Sequence, residues 1–205
     1  MKATTKDQRP TTKMILALDV DTFAQATYFI NTLFPRVKIF KVGAQLFTAC
    51  GPRIMEFIHK SGAEVFLDLK FFDIPHSVAN ATRQAVRQKV KMLTLHILGG
   101  EEMLKAAVAA ARDEAKKIKT QRPLLIGVTI LTSKETKPAE VLALAKTGLA
   151  CGLDGVVCSA REAPTLRQAV KKKFIIVTPG IRPKSAQRDD QKRTCLLYTS
   201  PSPRD

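Results

Sequence analysis

The chain has 205 residues, of which 45% are hydrophobic and 25% charged, a composition typical of a globular protein that excludes disorder throughout. That length suffices for one large domain, and no stretch approaches the roughly 18 apolar residues that a membrane-spanning helix requires. The polar start of the chain also lacks the apolar core of a secretory signal, so we expect a soluble cytoplasmic protein that does not act at a membrane.

Basic residues predominate, with 34 Lys and Arg against 18 Asp and Glu and a formal net charge of +16. Such a charge is compatible with binding to nucleic acid, with an anionic substrate, or simply with lysine-rich helix faces exposed to solvent. Because the basic residues are scattered and aromatic residues make up only 6% of the chain, a nucleic-acid partner is not expected. The four cysteines form no C-x-x-C pair and have no histidine cluster nearby, so we expect reduced thiols and no metal.

Short apolar, β-branched runs alternate with longer amphipathic stretches from end to end. We predict seven strands, at Met14–Asp19, Ile39–Gly43, Glu64–Lys70, Met92–Leu98, Leu124–Leu131, Gly155–Cys158 and Phe174–Thr178. Six helices are predicted between them, at Thr22–Leu33, Pro52–Lys60, Ser77–Lys89, Glu101–Lys119, Pro138–Cys151 and Ala160–Lys172. The continuity of the apolar runs indicates buried parallel strands. Gly62 and Gly152 are expected to end helices, and Thr22 and Ser159 to begin them.

These repeated units predict an α/β fold, a (β/α)8 TIM-type barrel that forms one domain over residues 1–193. A dinucleotide-binding fold would require G-x-G-x-x-G after its first strand, where this chain has Leu18-Asp19-Val20-Asp21. An eighth β/α unit is missing from the pattern. Residues 194–205 include two prolines in the last five positions, which preclude a regular strand there, and we expect them to be a non-native tail.

Three charged residues lie close together around the end of the third predicted strand. Side chains alternate between the faces of a strand, so Asp68 and Lys70 point the same way, and Asp73 follows on the loop. Burying charges is costly unless they pair, which makes a purely structural role a poor explanation for this set. An ion-pair network that plugs the barrel is the structural alternative.

Other polar residues also fall at the carboxyl ends of predicted strands, where β/α barrels build their active sites. They are Asp19, Lys41, His96, Thr132 and Arg182. Taken singly, each has a structural explanation, such as a turn cap for Thr132 or a core position for His96. Their convergence on one end of the barrel favours a functional site.

The stretch Phe66-Leu67-Asp68-Leu69-Lys70-Phe71-Phe72-Asp73-Ile74-Pro75 carries the pattern D-x-K-x-x-D-I-P. That pattern resembles the signature of the orotidine 5′-monophosphate decarboxylase family. Further segments fall in that family's order and look like its bacterial branch: Leu16–Asp19, Phe40–Gly43, Val128–Ser133, Gly152–Ser159 and Thr178–Pro183. The resemblance covers residues 13–193. It implies conversion of orotidine 5′-monophosphate to uridine 5′-monophosphate, the last step of pyrimidine nucleotide synthesis, by a homodimer without metal or organic cofactor.

The resemblance also implies a role for each matching residue. Lys70 would donate the proton, Asp68 would lie beside the substrate carboxylate, and Lys41 would complete the charged array. Asp73 would reach across the dimer interface. The remaining roles concern substrate binding: Asp19 and Lys41 at the ribose, Ser77 and Thr132 at the nucleotide, and Arg182 and Gln191 at the phosphate. Elementary chemistry supports the role of Lys70. Without a cofactor to accept the electron pair, a carbanion at C6 needs a preorganised cation, and we expect the flanking acids to keep Lys70 protonated.

The chain departs from the family pattern in three places. Phe72 stands where the family commonly has His, and His76-Ser77 stands in place of Asn-Thr. The segment from Lys134 to Ala150 is shorter than usual. The final Gly-Arg phosphate motif, expected after an eighth strand, has no counterpart, so we expect weak or absent activity from the chain as written.

Four alternatives to the decarboxylase remain open. A related barrel acting on a sugar phosphate shares D-x-K but uses magnesium, although Asp73-Ile74-Pro75 argues against it. A Schiff-base aldolase would need a neutral lysine, which the adjacent acids oppose. The third alternative is an inactive fragment with exposed strand edges. The fourth is a basic nucleic-acid-binding protein, whose affinity would fall steeply with salt.

Overall fold

The computed structural model describes residues 13–131, 136–182 and 195–196. The strands are β1 Ile15–Ala17, β2 Ile39–Gly43, β3 Glu64–Phe71, β4 Met92–His96, β5 Leu124–Val128, β6 Gly155–Val157, β7 Ile175–Val177, β8 Ile181–Arg182 and β9 Cys195–Leu196. The helices are α1 Phe23–Leu33, α2 Ala44–Cys50, α3 Arg53–Lys60, α4 Pro75–Arg87, α5 Gly100–Lys117, α6 Pro138–Ala150 and α7 Ala163–Ala169, with a 3₁₀ turn at Ile97–Gly99. All seven predicted strands are therefore present, most of them one to three residues shorter at an end.

Strands β1 to β7 form one parallel sheet in which each strand pairs with the next along the chain. Helices alternate with the strands, and the sheet curls into a TIM-type barrel that lacks its final unit, as predicted. Within the described residues, the sheet ends at β1 on one side and at β7 on the other. The helices between consecutive strands return the chain to the same end of the sheet, which accounts for the parallel, sequential order.

The two faces of the sheet bury two separate apolar clusters. Ile39, Phe66, Met92 and Ile126 pack together on the inner face, inside the curl. The outer face packs against the helices in a larger cluster that includes Phe40, which is fully buried. Since side chains alternate along a strand, this division assigns Lys41, two residues after Ile39, to the inner face. Asp68, two residues after Phe66, lies there as well.

Helix termini follow the predictions in three of four places. Thr22 begins α1 with a capping box, accepting a hydrogen bond from the Gln25 N–H while the Gln25 side chain accepts from the Thr22 N–H. Gly62 (φ +83°) and Gly152 (φ +98°) follow α3 and α6 in the left-handed region that glycine tolerates. Ser159 was expected to begin a helix, and that prediction is wrong: α7 starts at Ala163, after Glu162.

Two short features escaped prediction. Helix α2 follows β2 directly, and its sequence, AQLFTAC, is too short to show a clear periodicity. Strands β8 and β9 form a separate parallel pair, with Ile181 opposite Cys195 and Arg182 opposite Leu196. This pair places the backbone of residues 195–196 beside β8, and the assignment of residues 194–205 to a non-native tail stays a prediction. Of the helices in the described residues, none is both long and apolar enough to cross a membrane.

Candidate active site

The charged residues predicted at the strand ends meet on the inner face of the barrel, just beyond the apolar cluster around Phe66. Lys41 and Asp68 each follow an inward-facing residue of that layer, Ile39 and Phe66, by two positions, because one inward position occurs every two residues along a strand. Asp19, Lys41 and Asp68 thereby lie on three neighbouring strands or their ends. Parallel pairing aligns these ends at one mouth of the barrel.

Asp68 is the centre of the cluster, and its side chain is only 12% exposed. Its Oδ2 lies 3.0 Å from the Lys70 Nζ and 3.5 Å from the Lys41 Nζ. Its Oδ1 accepts a 3.0 Å hydrogen bond from the Thr94 hydroxyl. One carboxylate thus has two ammonium groups on one oxygen and a neutral donor on the other, which fixes its plane.

Lys41 links Asp68 to a second acid. Its Nζ lies 3.1 Å from Oδ1 of Asp19, just beyond β1, so the charges alternate as Asp19, Lys41, Asp68, Lys70. Gly43 is opposite Asp68 in the β2–β3 register. A Cβ at Gly43 would lie 3.3 Å from the Lys41 Nζ and 3.7 Å from the Asp19 carboxylate. Glycine at this position therefore leaves the ammonium group room to lie between the two acids.

Lys70 has an unusual backbone conformation, with φ at +50°. The left-handed region costs a non-glycine residue on the order of 1–3 kcal/mol and persists where the surroundings determine it. The strain coincides with an irregularity in β3, since Leu67 pairs with Leu93 but Phe71 pairs with Leu95. Between these two pairs the chain runs four residues along β3 but only two along β4, so β3 bulges between Leu67 and Phe71. The Lys70 side chain is 40% exposed, which leaves its ammonium group accessible from the mouth.

Asp73 and Ser77 lie on the rim, outside this charged cluster. Both line a groove of about 290 Å³ next to Lys70, together with Leu69 and Phe72. The Asp73 side chain is exposed, and its Oδ1 accepts a 2.6 Å hydrogen bond from the Ile74 N–H. Ser77 is half-buried in the first turn of α4.

The residues expected at the phosphate fall largely beyond the described part of the chain. Thr132 and Gln191 lie outside the described residues, and Arg182 is described only as backbone in β8. His96, the other polar residue predicted at a strand end, closes β4, with its ring centroid 5.5 Å from that of Phe72. Of the predicted set, Asp19, Lys41, Asp68 and Lys70 are thus brought into direct contact.

Comparison with known proteins decides the family. The model of the orotidine 5′-phosphate decarboxylase / HUMPS family matches residues 12–198. The chain belongs to this family. It is 49% identical over 192 residues to the orotidine 5′-phosphate decarboxylase of Geobacter sulfurreducens and 46% identical over 192 residues to that of Geobacter metallireducens. Each alignment covers 88% of this chain and 80% of the relative.

A solved structure supports the assignment to the orotidine 5′-phosphate decarboxylase / HUMPS family. The orotidine 5′-phosphate decarboxylase of Lactobacillus acidophilus superposes with a TM-score of 0.76 at 33% identity. The superposition covers 83% of this chain and 82% of that one. The incomplete barrel described above therefore has the fold of that decarboxylase over most of both chains.

Sequence reasoning missed one residue of this site, Thr94. It is fully buried in the middle of β4, where it donates to Asp68 and accepts a 2.9 Å hydrogen bond from the Lys70 N–H. The available signal was its place on the inward face, between Met92 and His96 in Met92-Leu93-Thr94-Leu95-His96. A threonine in a strand is so ordinary that only its contacts distinguish it.

Proposed function

We propose that this chain decarboxylates orotidine 5′-monophosphate to uridine 5′-monophosphate, in the cytoplasm, as part of pyrimidine nucleotide synthesis. The observation that carries the proposal is the contact of one shielded carboxylate, Asp68, with the ammonium groups of Lys41 and Lys70 at the barrel mouth. Curated relatives at 46% and 49% identity, named orotidine 5′-phosphate decarboxylase, support the choice of substrate.

The reaction breaks the bond between C6 and the carboxylate carbon. The carboxylate leaves as CO₂, the electron pair stays on C6, and a proton must then be delivered to that carbon. The Lys70 ammonium group is the donor in this proposal, because it is accessible at the mouth and two ion pairs orient the array around it. A preorganised cation also stabilises the negative charge as it develops, so no cofactor is required.

The remaining residues are proposed to hold the substrate. Asp68 lies beside the substrate carboxylate, while Asp19 and Lys41, paired at 3.1 Å, contact the ribose. Ser77 contributes its hydroxyl from the groove beside Lys70. The set for the nucleotide and its phosphate is completed by Thr132, Arg182 and Gln191, on the strength of the sequence resemblance alone.

A homodimer, with Asp73 contributed to the partner's site, is part of the proposal. Large apolar side chains are exposed on both sides of Asp73 along the chain, with Phe72 61% exposed and Ile74 65%, and Leu98, in the turn after β4, is 56% exposed. An apolar surface of this kind around a charged residue is typical of a protein interface. Covering it with a second copy would bury these side chains and direct Asp73 towards the neighbouring site.

The charge arrangement weighs against the two enzyme alternatives. A magnesium-dependent sugar-phosphate enzyme would use the Asp68 carboxylate as a ligand, but two ammonium groups already lie within 3.5 Å of its Oδ2 and would repel a divalent cation. A Schiff-base aldolase needs a lysine nitrogen that is free to attack a carbonyl carbon, whereas the Nζ atoms of Lys41 and Lys70 lie 3.1 and 3.0 Å from the carboxylates of Asp19 and Asp68.

The deciding experiment follows the loss of orotidine 5′-monophosphate absorbance with the wild-type chain, Lys70→Ala and Lys105→Ala. Lys105 is the matched control, because it also pairs with an acid, Glu101, but on the exposed face of α5. Because the chain has no counterpart of the final Gly-Arg phosphate motif, we expect weak turnover in the wild type. Lys105→Ala should match that rate, and Lys70→Ala should decrease it about 10²- to 10⁴-fold. Absence of turnover from a wild-type chain that melts cooperatively would refute the proposal.

A further inference from the structure

Thr94 lies opposite the bulge in β3. Its neighbours on β4, Leu93 and Leu95, pair with Leu67 and Phe71, the β3 residues on either side of the bulge. The Lys70 N–H can only donate, so the Thr94 oxygen is the acceptor of the 2.9 Å bond between them. The single hydroxyl proton of Thr94 is therefore available for Asp68, whose Oδ1 lies 3.0 Å away. The directions of both hydrogen bonds follow from the chemistry of the groups.

We propose that Thr94 is the positioning residue of this site. Its hydroxyl fixes the positions of the Asp68 carboxylate and the Lys70 backbone relative to each other. This inference deepens the proposed decarboxylation and rests on it. Lys70 adopts a φ of +50°, which residues with side chains rarely adopt, and the Thr94 hydrogen bond holds its N–H at that bend. Thr94 is fully buried, so solvent is not available to replace its hydroxyl.

The effect on Lys70 is indirect, since the ammonium group itself contacts Asp68 and not Thr94. Thr94 therefore affects both the backbone end of the Lys70 side chain and the carboxylate that its ammonium end contacts. It sets the direction in which the Lys70 side chain leaves the backbone, and it orients the carboxylate that receives the ammonium group. Because catalysis depends on alignment, we expect loss of the hydroxyl to lower kcat more than it raises KM.

The test compares Thr94→Val, which keeps the shape and removes the hydroxyl, with Thr94→Ser, which keeps the hydroxyl and removes the methyl group. Thr82→Val is the matched control: Thr82 is also fully buried, on α4, and within the described residues its hydroxyl has no hydrogen-bond partner. We expect kcat to fall about 10- to 100-fold in Thr94→Val, with KM within about threefold of wild type. Thr94→Ser and Thr82→Val should stay within about threefold in both constants.

A second measurement does not depend on turnover and separates a failure of this inference from a failure of the proposed function. Hydrogen exchange at the Lys70 amide, followed by NMR, should be slow in the wild type and in Thr94→Ser and faster in Thr94→Val. An unchanged Lys70 amide in Thr94→Val would overturn the inference, even if the wild type proved inactive. Equal losses of kcat in Thr94→Ser and Thr94→Val would also overturn it, because they would show that packing matters and the hydroxyl does not.

Discussion

Lys70 and Asp68 form a 3.0 Å ion pair although a single residue separates them along β3. Neighbouring inward positions of a strand point the same way, so the carboxylate and the ammonium group enter the site together. The strain at Lys70 and the second ammonium group from Lys41 complete an arrangement in which every charge has a partner of opposite sign. Removing one member should therefore disturb the others.

Replacing Asp68 with Asn tests this arrangement directly. The amide keeps the shape but removes the charge that holds the Lys41 and Lys70 ammonium groups, so we expect kcat/KM for orotidine 5′-monophosphate to fall at least about 100-fold. Asp113→Asn, an exposed change on α5, is the control and should leave activity unchanged. A decrease of less than about tenfold in Asp68→Asn would contradict the proposed role.

Gly43→Ala tests the space around Lys41. The new Cβ would lie 3.3 Å from the Lys41 Nζ, tight enough to displace the ammonium group, while the Gly43 backbone (φ −91°) accepts alanine. We expect affinity for uridine 5′-monophosphate, measured by calorimetry, to fall about tenfold with little change in melting temperature. In a Lys41→Met background the same substitution should have a smaller effect. Equal effects in both backgrounds would show that Lys41 is not what the Cβ disturbs.

The apolar rim predicts dimerisation that a single charge should weaken. We expect the wild-type chain to sediment as a dimer and Leu98→Glu to shift it towards the monomer, because a carboxylate would be buried in an apolar interface. Ile118→Glu is the control, since Ile118 is exposed just beyond the carboxyl end of α5 and Leu98 precedes its amino end. A monomeric wild type at high protein concentration would rule out this interface.

The Arg87–Glu114 pair between α4 and α5 predicts a pH dependence of stability. The 2.7 Å hydrogen bond from the Arg87 Nε holds the pKa of Glu114 below its usual value, with burial opposing the shift. A lowered folded-state pKa stabilises the protein above the unfolded pKa, and this contribution is lost as the pH falls through the folded value. Between about pH 6 and pH 3, the melting temperature of Glu114→Gln should therefore fall less steeply than that of the wild type. Melting temperatures that fall equally steeply with pH in Glu114→Gln and in the wild type would contradict this linkage.

Asp154 is expected to matter for stability. Its carboxylate accepts hydrogen bonds of 2.7 and 2.8 Å from the Arg122 guanidinium and one of 2.8 Å from the Leu125 N–H, near the starts of β5 and β6. Asp154→Ala removes both acceptor oxygens, and with them all three hydrogen bonds, and should cost about 2–3 kcal/mol, or roughly 4–10 °C in melting temperature. Asp113→Ala should change the melting temperature by about 1–2 °C at most. A melting temperature of Asp154→Ala within about 2 °C of wild type would show this carboxylate to be dispensable.

The amino-acid sequence predicted the seven strands of the main sheet, most helices, the parallel barrel and the four charged residues that form the centre of the site. This was possible because strand alternation and helical periodicity are local properties, and because Asp68 and Lys70 share one strand. Lys41 and Asp19 could be placed at the same mouth since parallel strands align their carboxyl ends. Short elements without a periodic signal, such as α2, could not be predicted.

Only the tertiary structure decided which atoms meet. The bulge in β3 depends on how that strand pairs with β4, and it determines both the φ of Lys70 and the reach of Thr94. Thr94 lies more than twenty residues from the groups it contacts, and its role depends on register across two strands. Register is a property of the assembled sheet, so a pattern of residue types along one chain does not specify it.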